Sequence, residues 1–122
     1  MKLVTHIVCS MVAGVVARGG LPLVVAGSVL PDVLDYTLRL RHRSPITHNV
    51  LTVLLLLCLL PLSPLILFVA LGVAHHLLLD ALTKRGVYVG KRTVSLHHFT
   101  SSDPFANMFI TLLHLAILPL FL

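Results

Sequence analysis

The sequence predicts an all-α integral membrane protein, a helical bundle of two helical hairpins plus a C-terminal helix, with a small β-hairpin in the 84–102 loop. Three observations predict it. The composition is 57% hydrophobic and 11% charged with a mean hydropathy of +1.03, far from an ordinary globular domain. The apolar segments are separated by glycine and proline pairs, which are breaks in helical periodicity. The basic residues Arg39, Arg41, Arg43, Lys84, Arg85, Lys91 and Arg92 fall at one end of both hairpins, leaving Arg18 at the other. The positive-inside rule makes the basic end cytoplasmic. At 122 residues the chain reads as a single membrane-embedded domain, 1–122, multi-pass in the cell membrane.

Leu3 to Ala17 forms the first helix. It follows a lone Lys2 and lacks a small-residue cleavage site, so it reads as structure and not as a signal peptide. Arg18-Gly19-Gly20 ends it, and Pro22 starts a second segment up to Leu30 that folds back as a hairpin. This arm runs into Pro31-Asp32-Val33-Leu34-Asp35, followed by a basic connection from Arg39 to Arg43. Ser44-Pro45, a cap followed by a first-turn proline, opens a third helix to about Leu60. Pro61 to Pro64 breaks it, and a fourth helix continues through Gly72 to Thr83. In the polar stretch Lys84 to Ser102, Val87-Tyr88-Val89 and Thr93 to Leu96 flank Gly90-Lys91 as a β-hairpin. Asp103-Pro104 launches the last helix from Phe105 onward. Arms of about 15 residues reach roughly 22 Å against a hydrocarbon core of roughly 30 Å, so the bundle thins the bilayer, sits in one leaflet or extends into the headgroups.

The chemistry converges on the basic end. His76 and Asp80, four apart, share a helix face inside an apolar run, where ionisable groups need partners. The same topology brings His6, Asp32, Asp35 and His48 to that end, with His42 as a seventh member. Imidazoles mixed with carboxylates suit one or two divalent transition metals, zinc first, then manganese or iron. The alternatives are a buried His76–Asp80 pair that only stabilises the bundle, and an Asp32–Asp35 helix-end cap. His75 points about 100° away from His76 and reads as packing or support. His114 reads as a core residue, and His97 and His98 as surface residues. Cys9 and Cys58 lie in apolar runs and read as free thiols. The basic residues lack interleaved aromatics, which speaks against nucleic acid as a partner.

Pro31-Asp32-Val33-Leu34-Asp35, His42-Arg43-Ser44-Pro45-Ile46-Thr47-His48 and His76 to Thr83 with Gly86, after an early His6, resemble a known pattern. It is that of the membrane-bound, predicted metal-dependent hydrolases that include the LexA-binding inner-membrane protein. The chain departs from it at Ser44-Pro45, where that family has Gly, at Asn49, where it has Ser, and after Gly86, where its Pro-Phe segment is missing. The early His, Pro-Asp and Thr-His are also similar to bacterial zinc-dependent phospholipase C proteins. The resemblance implies hydrolysis of an ester or phosphodiester bond of a membrane-associated substrate, such as a phospholipid. With no Glu in the chain, Asp35 is the expected general acid or base, and Arg43 the expected phosphate clamp. The competing expectation is a non-catalytic membrane anchor whose structural metal or polar cluster supports recruitment of a soluble cytoplasmic protein. A transporter is disfavoured, because the segment from Leu54 to Leu71 offers no ligands.

Overall fold

Gly27 and Gly72 set the centre of the fold. The structure, a computed structural model, describes residues 1–18 and 20–122. Its elements are α1 (Leu3–Val16), α2 (Leu21–Thr37), α3 (Val50–Cys58), α4 (Ile66–Ala81), β1 (Val87–Val89), β2 (Arg92–Val94) and α5 (Pro104–Ile117), with short 3-10 turns at Leu60–Leu62 and Leu118–Leu120. A Cβ on Gly72 would lie 2.1 Å from the Val24 carbonyl oxygen, and one on Gly27 would lie 2.3 Å from that of Val69. Only glycine at both positions lets α2 and α4 cross backbone to backbone.

Around this crossing, α1 packs on α2 and α5, and α3 packs on α4. Met1, Cys9, Leu79 and Ile110 form one apolar cluster between α1, α4 and α5. Val73, Leu77, Ala81 and Val87 form another between α4 and the hairpin. The polar face of α4 that carries His76 and Asp80 is therefore walled by α1 and α2.

Several elements differ from the sequence reading. α2 continues through Pro31 to Thr37, which places Asp32 and Asp35 on a helix and not beyond its end. The helix expected from Ser44-Pro45 begins only at Val50, capped by Asn49, whose Oδ1 accepts from the Leu51 amide at 3.1 Å. Residues 44–48 instead form a turn whose amides and hydroxyls serve Asp35. Of the expected turn Arg18-Gly19-Gly20, Gly19 lies outside the described residues; Gly20 caps α2 at φ +63°. The β-hairpin is present in antiparallel register Val87↔Val94, Tyr88↔Thr93, Val89↔Arg92. Asp103 caps α5 by accepting from the amides of Phe105 and Ala106.

The largest correction concerns the membrane. The longest helix, α2, has 17 residues, a length of about 25 Å. Among the described residues, no helix is long and apolar enough to cross a membrane. The expected integral membrane bundle, its multi-pass placement and its cytoplasmic orientation are overturned together. Mean hydropathy sums over the whole chain, whereas the apolar residues are divided among segments that stop short; α3 has only nine residues before Pro61 ends it.

Candidate metal centre

The site is assembled from four separate stretches. α1 supplies His6, α2 supplies Asp32 and Asp35, the turn before α3 supplies His48, and α4 supplies His76 and Asp80. The loop 39–48 is folded under the hairpin: the Tyr88 amide donates to the His48 carbonyl at 2.9 Å, and Asn49 Nδ2 donates to the Gly90 carbonyl at 3.0 Å. His6, His48, His76 and Asp80 are buried; Asp32 is one-quarter exposed and forms the open side.

Four candidate ligand atoms lie close together. His48 Nε2 and His76 Nε2 lie 3.1 Å apart. Asp80 Oδ2 is 3.7 Å from the first and 3.5 Å from the second. Asp32 Oδ1 is 3.4 Å from His48 Nε2 and 4.0 Å from His76 Nε2. Ligands at roughly 2.0–2.2 Å around a tetrahedral ion stand about 3.3–3.6 Å apart, and these separations, from 3.1 to 4.0 Å, bracket that range. Buried His and Asp groups here can hold a metal ion, as two overlapping sets: His6, His76 and Asp80, and Asp32, His48 and His76.

The outer hydrogen bonds turn the imidazoles toward that point. His76 Nδ1 donates to the Ser28 carbonyl at 2.6 Å, which leaves Nε2 with a bare lone pair. His48 Nδ1 is 3.0 Å from Thr47 Oγ1 and 3.3 Å from Asp35 Oδ2, and Thr47 spends its own proton on Asp35. His48 Nδ1 is thus the donor, and its Nε2 is also bare. Two bare nitrogens at 3.1 Å beside two carboxylate oxygens repel unless a cation lies among them. Asp32 Oδ1, buried without a hydrogen-bond partner, marks the same deficit, and His6 Nδ1 is a further buried atom without one.

Electrostatics agree. Burial opposes ionisation of Asp80, but the hydrogen bond from His6 and the adjacent amino nitrogen of Met1 hold its carboxyl well below the usual range. Burial pushes His6 down to about 4, so it is a neutral ligand-ready imidazole at pH 7. One guanidinium, that of Arg43, reaches the cluster, donating to Asp80 Oδ1 at 2.6 Å and to Thr83 Oγ1 at 2.7 Å. The Met1 amino nitrogen also reaches Asp80 Oδ1, at 2.7 Å.

The structure brings His6, Asp32, His48, His76 and Asp80 together and gives the other expected residues different places. Asp35 stands behind His48: Thr47 Oγ1, the Arg43 amide and the Ser44 amide occupy its oxygens, so it orients a ligand and is not free to ligate or to move a proton. The Arg43 guanidinium is buried against Asp80 and not extended to clamp a phosphate. His42, 63% exposed, lies at the rim with Nδ1 3.7 Å from Asp32 Oδ1. His75 faces away toward Ser10 and His114. The sequence reading missed the support given by Ser28, Thr47 and Thr83. Only Thr47, adjacent to His48, carried a local signal. Comparison with protein-family models, curated proteins and solved structures finds no match to this chain.

Proposed function

We propose that the chain is a metal-dependent hydrolase of an ester or phosphodiester bond, built around one divalent ion, zinc first, held by Asp32, His48, His76 and Asp80. The observation that carries this reading is the unpartnered Asp32 Oδ1 facing two bare imidazole nitrogens. One ion fits better than two, because Asp80 Oδ1, which a second would need beside His6, already accepts from Arg43. A divalent ion supplies Lewis acidity and activation of water. The chain's own groups do the rest. Asp35 and Ser28 hold the imidazoles in their ligating tautomers, Arg43 fixes Asp80, and His42 at the open rim carries the proton between solvent and site. Water adds its oxygen to the scissile centre, the ester bond breaks, and the leaving alcohol takes up a proton. The resemblance of the Pro31–Asp35, His42–His48 and His76–Thr83 segments to a hydrolase family supports the same reading.

Metal content by mass spectrometry tests it, with the wild type beside His76→Ala and Asp80→Ala. Stoichiometric zinc, manganese or iron in the wild type, lost in both variants, is expected, together with product release from a panel of nitrophenyl esters and phosphodiesters. A loaded protein that hydrolyses none of them, and in which metal removal changes only the melting temperature, would sink the hydrolase and leave a structural centre in a partner-recruiting protein.

A further inference from the structure

A second, polar cavity of about 170 Å³ opens beside the cluster, lined by Arg41, His42, Arg43, Arg85, Gly86 and Tyr88. Its walls come from two segments that the backbone ties together. The Arg43 amide is held by Asp35, and the Tyr88 amide by the His48 carbonyl. Gly86, at φ +62°, closes the turn after α4, and a Cβ there would lie 2.1 Å from the Val94 carbonyl oxygen. The cavity adjoins the metal cage twice, through His42 at Asp32 and through the Arg43 guanidinium at Asp80.

Charge accounting leaves the arginines of this cavity other than Arg43 without a carboxylate partner. The chain has nine basic residues and four acidic ones, all aspartate. Asp32, Asp35 and Asp80 belong to the cluster, and Asp103 is spent capping α5. No carboxylate remains for Arg41 or Arg85, and among the described residues Arg43 is the only arginine in an ion pair. The exposed Arg41 and Arg85, with His42 and Tyr88, therefore line an anion-sized space that has no acidic residue in its wall. A carboxylate has two oxygens and one charge to offer such donors. A phosphoryl group offers three or more acceptors and matches guanidinium bidentately, with an oxygen left to turn toward the cage.

We infer that the cavity between Arg41, Arg85 and Tyr88 seats a phosphoryl group of the substrate, which makes the substrate a phosphate ester and not a carboxylic ester. The inference rests on the hydrolase reading for the word substrate, but the anion site stands on its own residues. Arg85 and Arg41 hold the phosphoryl oxygens, Tyr88 donates through its hydroxyl, and Gly86 makes the tight turn against Val94 that follows Arg85.

Inorganic phosphate is the probe, titrated calorimetrically into the full chain, both as purified and after chelation, with acetate at equal ionic strength as competitor. The chelated wild type is expected to bind one phosphate that acetate does not displace. Arg41→Gln and Arg85→Gln each weaken it about tenfold or more, whereas Arg92→Gln, on β2 outside the cavity, leaves it unchanged. Circular dichroism verifies folding, and metal content in both arginine variants stays at the wild-type value. Absence of phosphate binding, displacement by acetate, or an equal loss in Arg92→Gln overturns the inference while leaving the metal reading intact. Arginine-dependent phosphate binding in a chain that takes up no metal upholds the anion site and removes the hydrolase reading instead.

Discussion

His75 and His76 are neighbours in α4, yet they belong to two histidine clusters of opposite character. On one face, Ser10 donates to His75 Nδ1, His75 Nε2 donates to His114 Nε2, and His114 Nδ1 donates to the Ile110 carbonyl, at 3.1, 3.1 and 2.8 Å. Every proton in that chain has an acceptor. On the other face, the outer bonds to Ser28, Thr47 and Asp35 force two bare nitrogens and two carboxylate oxygens to face one another. A buried imidazole pair is complete when its tautomers run in one direction. It is poised for a cation when both outer nitrogens are made donors. The same residue type, one position apart, closes a hydrogen-bond chain in one case and belongs to a group that could hold a metal ion in the other.

The strongest way to break the comparison is to move the helices apart. In Gly72→Ala the new methyl meets backbone, the Val24 carbonyl oxygen, which cannot rotate aside. The expected cost is about 3 kcal/mol or more, seen as a lower denaturant midpoint. The variant should also lose metal, because α2 carries Asp32 and the Ser28 carbonyl that orients His76. Retained zinc at wild-type stoichiometry would show that the cage does not depend on this crossing.

Replacing the satisfied cluster should affect stability alone. His75→Leu leaves Ser10 and His114 without their partner, a loss of about 1–3 kcal/mol with metal content unchanged. Burial, and after it the neighbouring His114, push His75 down to about 4. Its folded value lies below the ordinary value of 6.5, so the unfolded chain takes up the proton first. The stability that follows is whole above about pH 6.5 and is lost as the pH falls through about 4. Unfolding midpoints across that window should fall less steeply in His75→Leu than in the wild type. An unchanged slope would mean that the pair is not neutral in the fold.

The two clusters were unequally legible in the sequence. Four-residue spacing puts His76 and Asp80 on one face, and two hairpins suffice to bring His6, Asp32 and His48 to the same end. Asp103-Pro104 and Gly90-Lys91 are local signals, and local structure follows them. What decides Asp35 is long-range: its oxygens are taken by amides and a hydroxyl eight to twelve residues away, in a turn that the Ser44-Pro45 signal assigns to a helix. Asn49 wins the cap because Gly90, forty-one residues on, holds its side chain in place. The membrane reading failed for a different reason. Hydropathy counts apolar residues without asking whether any helix is long enough to use them together.

Asp32→Asn sharpens the contrast from the other side. The substitution removes a partly exposed carboxylate whose Oδ1 has no hydrogen-bond partner, so the chelated protein should change by less than about 1 kcal/mol in either direction. Zinc affinity should nevertheless fall at least tenfold in a competition titration, since an amide oxygen replaces a carboxylate ligand. A large loss of stability in the chelated variant would mean that Asp32 is structural and not a ligand.

The smallest effect concerns the sulfurs, and it checks that no softer metal centre competes beside His75. Cys9 sits on α1 next to Ser10, fully buried between Leu79 and Ile110. Burial pushes its thiol up to about 11, against a weaker opposing hydrogen bond with Thr111. A protonated thiol is neither nucleophile nor ligand at neutral pH. Cys58, at the end of α3, is exposed. A chromogenic disulfide reagent should therefore titrate one thiol in the native protein and two after denaturation, without altering bound zinc. Fast reaction of both thiols in the native state would expose the α1–α5 seam to solvent, and the closed hydrogen-bond chain from Ser10 to Ile110 could not then be the ground state of that face.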